Sequence, residues 1–211
     1  MITFVYQDSH YFHSFQHCIK NVRKHYPNAR IDFYIDDNNP RMKEYGEFCL
    51  MYGCNFYPRK QHQSYIRRTD SVTQNIPKML ESHRRIYESC KQSDDEWILL
   101  LEDDVFIKRK VHTFPNADCG NNREEIPRPG GGSIFKRKMY INVYERIGES
   151  GIVEIINRDH DCSWAGDLLK EYMFSLCGVS SERWVEIAEP DYFDNTDHAV
   201  FHGYKELHKL G

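Results

Sequence analysis

Residues 97–107 read Trp-Ile-Leu-Leu-Leu-Glu-Asp-Asp-Val-Phe-Ile. Ile98 to Leu101 are an unbroken apolar run, the pattern of a strand buried on both faces, most often within a parallel sheet. Glu102, Asp103 and Asp104 follow at once, and Val105, Phe106 and Ile107 return to apolar character. Charged groups are costly to bury unpaired, so three adjacent acids between apolar flanks need a cation, donors or open solvent. In open α/β sheets the carboxyl ends of the strands are where ligands sit. Acids placed there suit Mg²⁺ or Mn²⁺, hard ions that leave sites free for phosphate oxygens. The plainer alternative is a strand ending in a solvated acidic turn.

Upstream of this stretch the chain alternates strand and helix patterns. Ile2 to Tyr6 is β-branched and aromatic and ends at the polar Gln7-Asp8-Ser9-His10, where a ligand could be read. Residues 11–26 carry Phe12, Phe15, Ile19 and Val22 at helical spacing. Ile31 to Ile35 is a second strand, again ending in acids, Asp36 and Asp37. A helix over 41–52, a short strand from Cys54 to Tyr57 and a helix beginning at Asn75-Ile76-Pro77 complete three β-α units. That last helix has Met79, Leu80, Ile86, Tyr87 and Cys90 as its apolar face. Such alternation predicts a mostly parallel, Rossmann-like sheet with helical crossovers.

Downstream the pattern loosens. Residues 112–132 read as loop and end in Gly130-Gly131-Gly132, which lacks the spacing of a dinucleotide fingerprint. A short strand at Ser133-Ile134-Phe135 precedes a helix from Tyr140 to Ile147 that Gly148 ends. A helix from about Ala165 to Leu176 has Leu168, Leu169, Tyr172 and Met173 on its buried side, and Trp184 to Ala188 is a last strand. The expected organisation is a single α/β domain, with a regular half at 1–108 and a smaller irregular half at 109–211.

The chain has 211 residues, 28 basic and 32 acidic, so a strongly basic nucleic-acid-binding face is not expected. Seven cysteines, odd in number and without a Cys-x-x-Cys, suit reduced thiols in the cytoplasm. No secretory signal is visible, and no apolar run approaches the ~20 residues that span a bilayer. The ending Leu-His-Lys-Leu-Gly has no stop-like character, which leaves room for further domains beyond Gly211.

Several residues suit chemistry. Glu102-Asp103-Asp104 occupies the place of an Asp-x-Asp site, whose last acid ligates a metal while the others reach it through water or bind ribose and sugar hydroxyls. His198 or His202 could complete such a site, and Lys205 could hold a phosphate as a point charge. The alternative for both histidines is a polar tail. Asp167 stands in the first turn of its helix, where the dipole favours an acid. It suits a general base acting on an acceptor hydroxyl, with Trp164 as a stacking wall and Asp161 and Asp159 as weaker candidates. Among the basic residues Arg59, Lys60, Arg67, Arg68 and Lys78, some could meet a diphosphate.

Taken together, these motifs resemble the GT-A class of nucleotide-sugar glycosyltransferases over most of the chain. The β-α half ends in the acidic turn at 102–104, a glycine-containing strand region follows at 130–135, and a helix opens with Trp164-Ala165-Gly166-Asp167. The late His202-Gly203-Tyr204-Lys205 is similar to the His and Lys that touch metal and diphosphate in several such families. More narrowly, the chain resembles the N-terminal domains of chlorovirus enzymes that glycosylate a major capsid protein. The resemblance implies a UDP-sugar donor, Mn²⁺ or Mg²⁺ as cofactor, uridine contacts from Gln7, Asp8, Asp36 and Asp37, and metal held by Asp104 with Glu102. Departures are Glu for the first Asp, Gly-Asp in place of Glu-Asp before the base, and a compressed late His motif.

The expected activity is therefore sugar transfer to a glycan or glycoprotein, a viral capsid glycan in the narrower resemblance, with inversion and in the cytoplasm. The rivals are a sugar nucleotidyltransferase and a non-catalytic carbohydrate-binding domain. The first usually wants a glycine-rich basic loop after the first strand, and Gln7-Asp8-Ser9-His10 supplies neither Gly nor Lys.

Overall fold

In the computed structural model, residues 1–7, 11–60, 66–122, 126–188 and 197–202 are described. The regular half contains β1 (Ile2–Gln7), α1 (Phe12–His25), β2 (Ile31–Asp36), α2 (Met42–Met51), β3 (Asn55–Arg59), α3 (Val72–Gln92) and β4 (Trp97–Leu101). The second half contains β5 (Phe106–Ile107), β6 (Cys119–Asn121), β7 (Ile134–Lys136), α4 (Arg137–Arg158), a 3-10 turn (His160–Ser163), α5 (Gly166–Leu176), β8 (Ser181–Arg183), β9 (Ile187–Ala188) and β10 (Val200–Phe201).

A seven-stranded sheet has the order β3-β2-β1-β4-β7-β6-β8. Its first four strands are mutually parallel, so their carboxyl ends share one edge. β7 joins β4 antiparallel, which carries the sheet across the boundary between the halves. A small second sheet, β5-β10-β9, lies beyond the acidic turn. The expected mixed, mostly parallel sheet flanked by helices is thus the observed architecture.

β4 explains why the sheet is central. Leu99 and Leu101 pack on one face with Phe4, Phe15 and Phe33, while Ile98 and Leu100 pack on the other with Met79, Phe135 and Leu169. Alternate residues of a strand point to opposite faces, so an all-apolar strand must be covered twice. Helices α1 and α2 cover the first face, and α3, α4 and α5 cover the second.

Several boundaries differ from the sequence expectation. α3 starts a turn early because Ser71 and Gln74 form a capping box, the Ser71 Oγ accepting from the Gln74 amide at 3.3 Å. Pro77 therefore lies inside the helix rather than in its first turn. Gly148, at φ 65°, does interrupt α4, but helix resumes and runs to Arg158. The stretch expected to be all loop contains β6, where Gly120 allows close approach: a Cβ there would lie 2.5 Å from Pro115 and 2.9 Å from Trp184. Of the expected last strand, Trp184 to Ala188, only Ile187–Ala188 is strand, as β9; β8 precedes it and belongs to the other sheet. Tyr172 faces outward and donates to Asp159 at 2.8 Å, leaving Leu169, Lys170, Met173 and Phe174 as the buried face of α5. All seven cysteines are free thiols, and among the described residues no helix is long and apolar enough to cross a membrane.

His83 in α3 is buried, with Nδ1 2.9 Å from the Tyr140 hydroxyl. Burial, reinforced by the charge of Lys170, pushes its pKa down to about 3 from 6.5. As pH falls below 6.5, the unfolded chain takes up a proton that the folded chain refuses, so stability is lost on acidification. That loss is about 1.4 kcal/mol per pH unit. Urea unfolding at about pH 7.5 and about pH 5.5 should therefore show His83→Gln losing about 1.4 kcal/mol less than the parent over that interval, whatever its starting stability. Equal losses would mean that His83 titrates freely in the fold.

Candidate active site

The three acids leave β4 in succession and their side chains diverge. Asp103 turns to β1, where its Oδ1 accepts from the Tyr6 hydroxyl at 2.6 Å. Glu102 and Asp104 meet His202 instead, at the end of β10. Antiparallel pairing of Phe201 with Phe106 delivers that histidine. Its Nε2 lies 3.6 Å from Glu102 and 3.7 Å from Asp104, and one ligand atom from each of the three residues falls within 4.8 Å of the others. Among the described residues, this is the group whose spacing suits a metal ion. Two carboxylate oxygens and one imidazole nitrogen suit a divalent ion, the carboxylates being the donors that hard ions such as Mn²⁺ or Mg²⁺ take. Partial desolvation at the cavity wall would raise the pKa of the half-exposed Glu102, but the His202 contact and the charge of Lys170 outweigh it and the net displacement is downward.

The glycine run is the floor of this cluster. A Cβ on Gly131 would stand 2.7 Å from the Glu102 carboxyl carbon. Gly132, at φ 76°, sits where a Cβ would be 3.4 Å from that of His202, and its amide donates to Leu100 at 2.8 Å. The segment lacks side chains where two of the candidate ligands need the space, a reason the sequence spacing did not reveal.

A cavity of about 540 Å³ opens beside the cluster, lined by Gln7, Glu102, Gly131, Trp164, Asp167 and Lys170 among others. Gln7 is fixed by the Ser82 hydroxyl at 2.9 Å. Trp164 is pinned from two sides: its indole N–H donates to Asp161 at 3.1 Å, and the Arg68 guanidinium lies 5.0 Å from its ring centre. Another cavity, about 550 Å³, contains Met1, Tyr26 and Phe114 at the amino ends of the strands, far from the acidic turn. Only the former joins the strands' carboxyl ends to titratable side chains.

Asp167 stands in the first turn of α5, as expected, and its Oδ2 accepts from the Arg128 Nε at 2.7 Å. Arg128 also approaches Glu171 at 3.6 Å. Burial raises the Asp167 carboxyl, but the Arg128 hydrogen bond, the charges of Lys170 and Arg128 and the Leu168 amide leave its pKa below the ordinary value. One turn on, Lys170 is 8% exposed; burial pushes its pKa down against the pull of Glu102, Asp167 and Cys119.

The remaining sequence candidates are placed apart from this cluster. Asp36 is fully buried, bonded to Arg85 at 2.7 Å, while Asp37 next to it is exposed. Arg59 pairs with Glu88 and approaches Glu81 at 4.0 Å. Lys78 pairs with Asp70 at 3.0 Å. Asp161 is exposed, and its role is to hold Trp164. Of the two late histidines, His202 reaches the acids; the His198 ring lies 6.3 Å from that of Phe201, with Nδ1 buried and lacking a hydrogen bond. Asp8 and Lys205 lie outside the described residues. The sequence reading missed Tyr6, Arg128 and Lys170, and read the glycine run as a loop or a backbone approach to a sugar rather than as room for Glu102. Lys170 was the legible one, being three residues from Asp167 on the apolar face of α5.

No family model matches the sequence, and no curated protein matches it. Solved structures do. The chain aligns over its whole length with 95% of LgtC, a galactosyltransferase solved in complex with donor and acceptor sugar analogues, at TM-score 0.59 and 12% identity. The Q189E active-site mutant of LgtC gives TM-score 0.61 at 13% identity. The glycosyltransferase GlyE of Streptococcus pneumoniae TIGR4 gives 0.57 at 12% identity over 96% of this chain, which spans about half, 54%, of GlyE. At such identities the likeness is one of fold: the chain has the GT-A architecture of these glycosyltransferases.

Proposed function

We propose that this chain is a divalent-metal-dependent glycosyltransferase that moves a sugar from a UDP-sugar to a hydroxyl of a glycan or glycoprotein. The observation that carries this reading is the meeting of Glu102, Asp104 and His202 at the carboxyl edge of a GT-A sheet, on the same cavity as Asp167. Held by those three residues, Mn²⁺ would serve as a Lewis acid for the diphosphate leaving group. Asp103, held by the Tyr6 hydroxyl, and Gln7, held by Ser82, would read ribose and base hydroxyl and amide groups on this reading. Asp8, Asp37 and Lys205 belong to the nucleotide side of the reading on the strength of the GT-A resemblance. Asp36, Arg59 and Lys78 already have internal partners, so they shape the edge rather than carry the nucleotide. A capsid-protein glycan as acceptor, in a host cytoplasm, is what the chlorovirus resemblance supports.

Trp164 offers a flat apolar wall against which an acceptor sugar can stack. Asp167 then takes the acceptor proton. Its depressed pKa makes it a weak base, so proton transfer comes late, after bond formation to the anomeric carbon has acidified the hydroxyl, and the outcome is inversion. The Arg128 clamp favours a second reading. In it Asp167 only orients the hydroxyl, a departing phosphate oxygen takes the proton on the face it leaves, and configuration is retained.

Four experiments test these assignments. Calorimetry with UDP should show binding that depends on Mn²⁺ and is lost in Asp104→Ala; metal-independent binding, or normal binding by the variant, would remove the metal assignment. Gly131→Ala should crowd the Glu102 carboxylate, the mobile end of a side chain, and so weaken Mn²⁺ about tenfold or more with little change in melting temperature. Unchanged affinity would show that Glu102 is not a ligand. Asp167→Asn should bind UDP and Mn²⁺ normally and lose about 100-fold or more in turnover. Proton NMR of the first product formed by the parent enzyme separates the two stereochemical readings directly.

A further inference from the structure

Lys170 is the cation in the cavity that the proposed chemistry leaves unused. It is more than nine-tenths buried, at 8% exposure, and lines the cavity together with Glu102, Gly131 and Asp167. Among the described residues its ammonium has no hydrogen bond and no ion pair; its influence on Glu102 and Asp167 is electrostatic, at longer range. The neighbouring acids have other partners. Asp167 is taken by Arg128, and Glu102 faces His202. Its stem is buried while its three N–H donors open on the cavity rather than on a protein acceptor. Water fills those positions until a ligand oxygen of matching place replaces it.

Its position selects which part of the ligand. On the UDP-sugar reading, the leaving diphosphate lies by Glu102, Asp104 and His202, and the acceptor hydroxyl lies by Asp167. Lys170 feels both Glu102 and Asp167, so it borders the space between them, where the transferred sugar must sit. We infer that Lys170 is a specificity-determining residue of the donor-sugar subsite, donating a hydrogen bond to an oxygen substituent of the transferred sugar. This rests on the UDP-sugar reading. A site built to bond a substrate oxygen rejects an analogue lacking it far more strongly than an apolar pocket rejects a shape change, because the site's buried group is then left unpaired. The donor is therefore a sugar with a hydroxyl or carboxylate oxygen at the position facing α5, and its deoxy counterpart is excluded.

Calorimetry in Mn²⁺ with UDP, UDP-glucose, UDP-galactose, UDP-glucuronate and the monodeoxy derivatives of the two hexoses tests this. The parent protein should bind its preferred UDP-sugar about 100-fold more tightly than one particular deoxy analogue. Lys170→Met should bind UDP as the parent does and bind the preferred UDP-sugar no better than that analogue, with its discrimination at the one position gone. The best-bound donor also tells a hydroxyl from a carboxylate. If the parent binds all the deoxy analogues within about threefold of the full sugars, the inference is overturned, with no variant needed. A Lys170→Met protein that is folded by circular dichroism and has lost UDP itself would make the contact a phosphate contact, again overturning it. Failure of the parent to bind UDP at all would bring down the donor reading, a distinct result from normal UDP binding with a flat sugar panel.

Discussion

Mutual repulsion among Glu102, Asp103 and Asp104 is the constraint around which the second half of the chain is arranged. Two carboxylates roughly 5 Å apart repel by about 3 kcal/mol at an effective dielectric of about 20, less where water reaches them, as at the half-exposed Glu102. The preceding strand is wholly buried, so the acids cannot retreat into solvent together. The fold separates them instead. Asp103 is drawn under the sheet edge by the Tyr6 hydroxyl, while Glu102 and Asp104 face the imidazole of His202. Each of these responses depends on remote chain. β10 has to pair with β5 for His202 to arrive, and residues 130–132 have to lack side chains for Glu102 to stand where it does.

The opposite wall is held by charge of another kind. Arg85 in α3, with no exposed surface, bonds both Asp36 at the end of β2 and Glu81 one turn earlier in its own helix. Glu81 is shared with Arg84 at 3.0 Å and lies 4.0 Å from Arg59 at the end of β3. Replacing a buried ion pair with apolar groups often costs nothing, but removing one partner leaves an uncompensated charge and is severe. The lattice therefore fixes the register of α3 against the strand ends. That register places Ser82 on Gln7 and Met79 on the cavity wall, so a network remote from the acidic turn sets the shape of this side of the cavity.

The regular half was legible because its signals are local. Apolar runs, helical spacing and turn residues located every strand and helix up to Leu101, and the acids after β4 marked the working edge before any coordinates were considered. Boundaries slipped where two local signals competed: Pro77 suggested a helix start, and the capping box at Ser71 overrode it. The second half resisted because its strands are two or three residues long and are held by pairing with distant chain, as β5 is by β10. The site divides along the same line. Glu102, Asp104 and Asp167 announce themselves by charge in an apolar setting. Arg128 sits in an irregular segment without periodicity, and its tie to Asp167 across 39 positions has no sequence signature. The sequence pattern puts Tyr172 on the buried side of α5, whereas the helix turns it outward and buries Lys170.

The carboxylates of the acidic turn and those of α5 differ in the kind of partner they have. Asp167 and Glu171 share Arg128, a cation that cannot be titrated away near neutral pH. Glu102 and Asp104 face the imidazole of His202, and Asp103 accepts from the Tyr6 hydroxyl. An imidazole and a phenol carry no permanent positive charge, whereas the guanidinium that orients Asp167 does. Lys170 lines the cavity with Glu102 and Asp167 and is drawn by the charge of both. The difference between the two acidic groups thus follows from Arg128, a residue of an irregular segment with no sequence signature of its own.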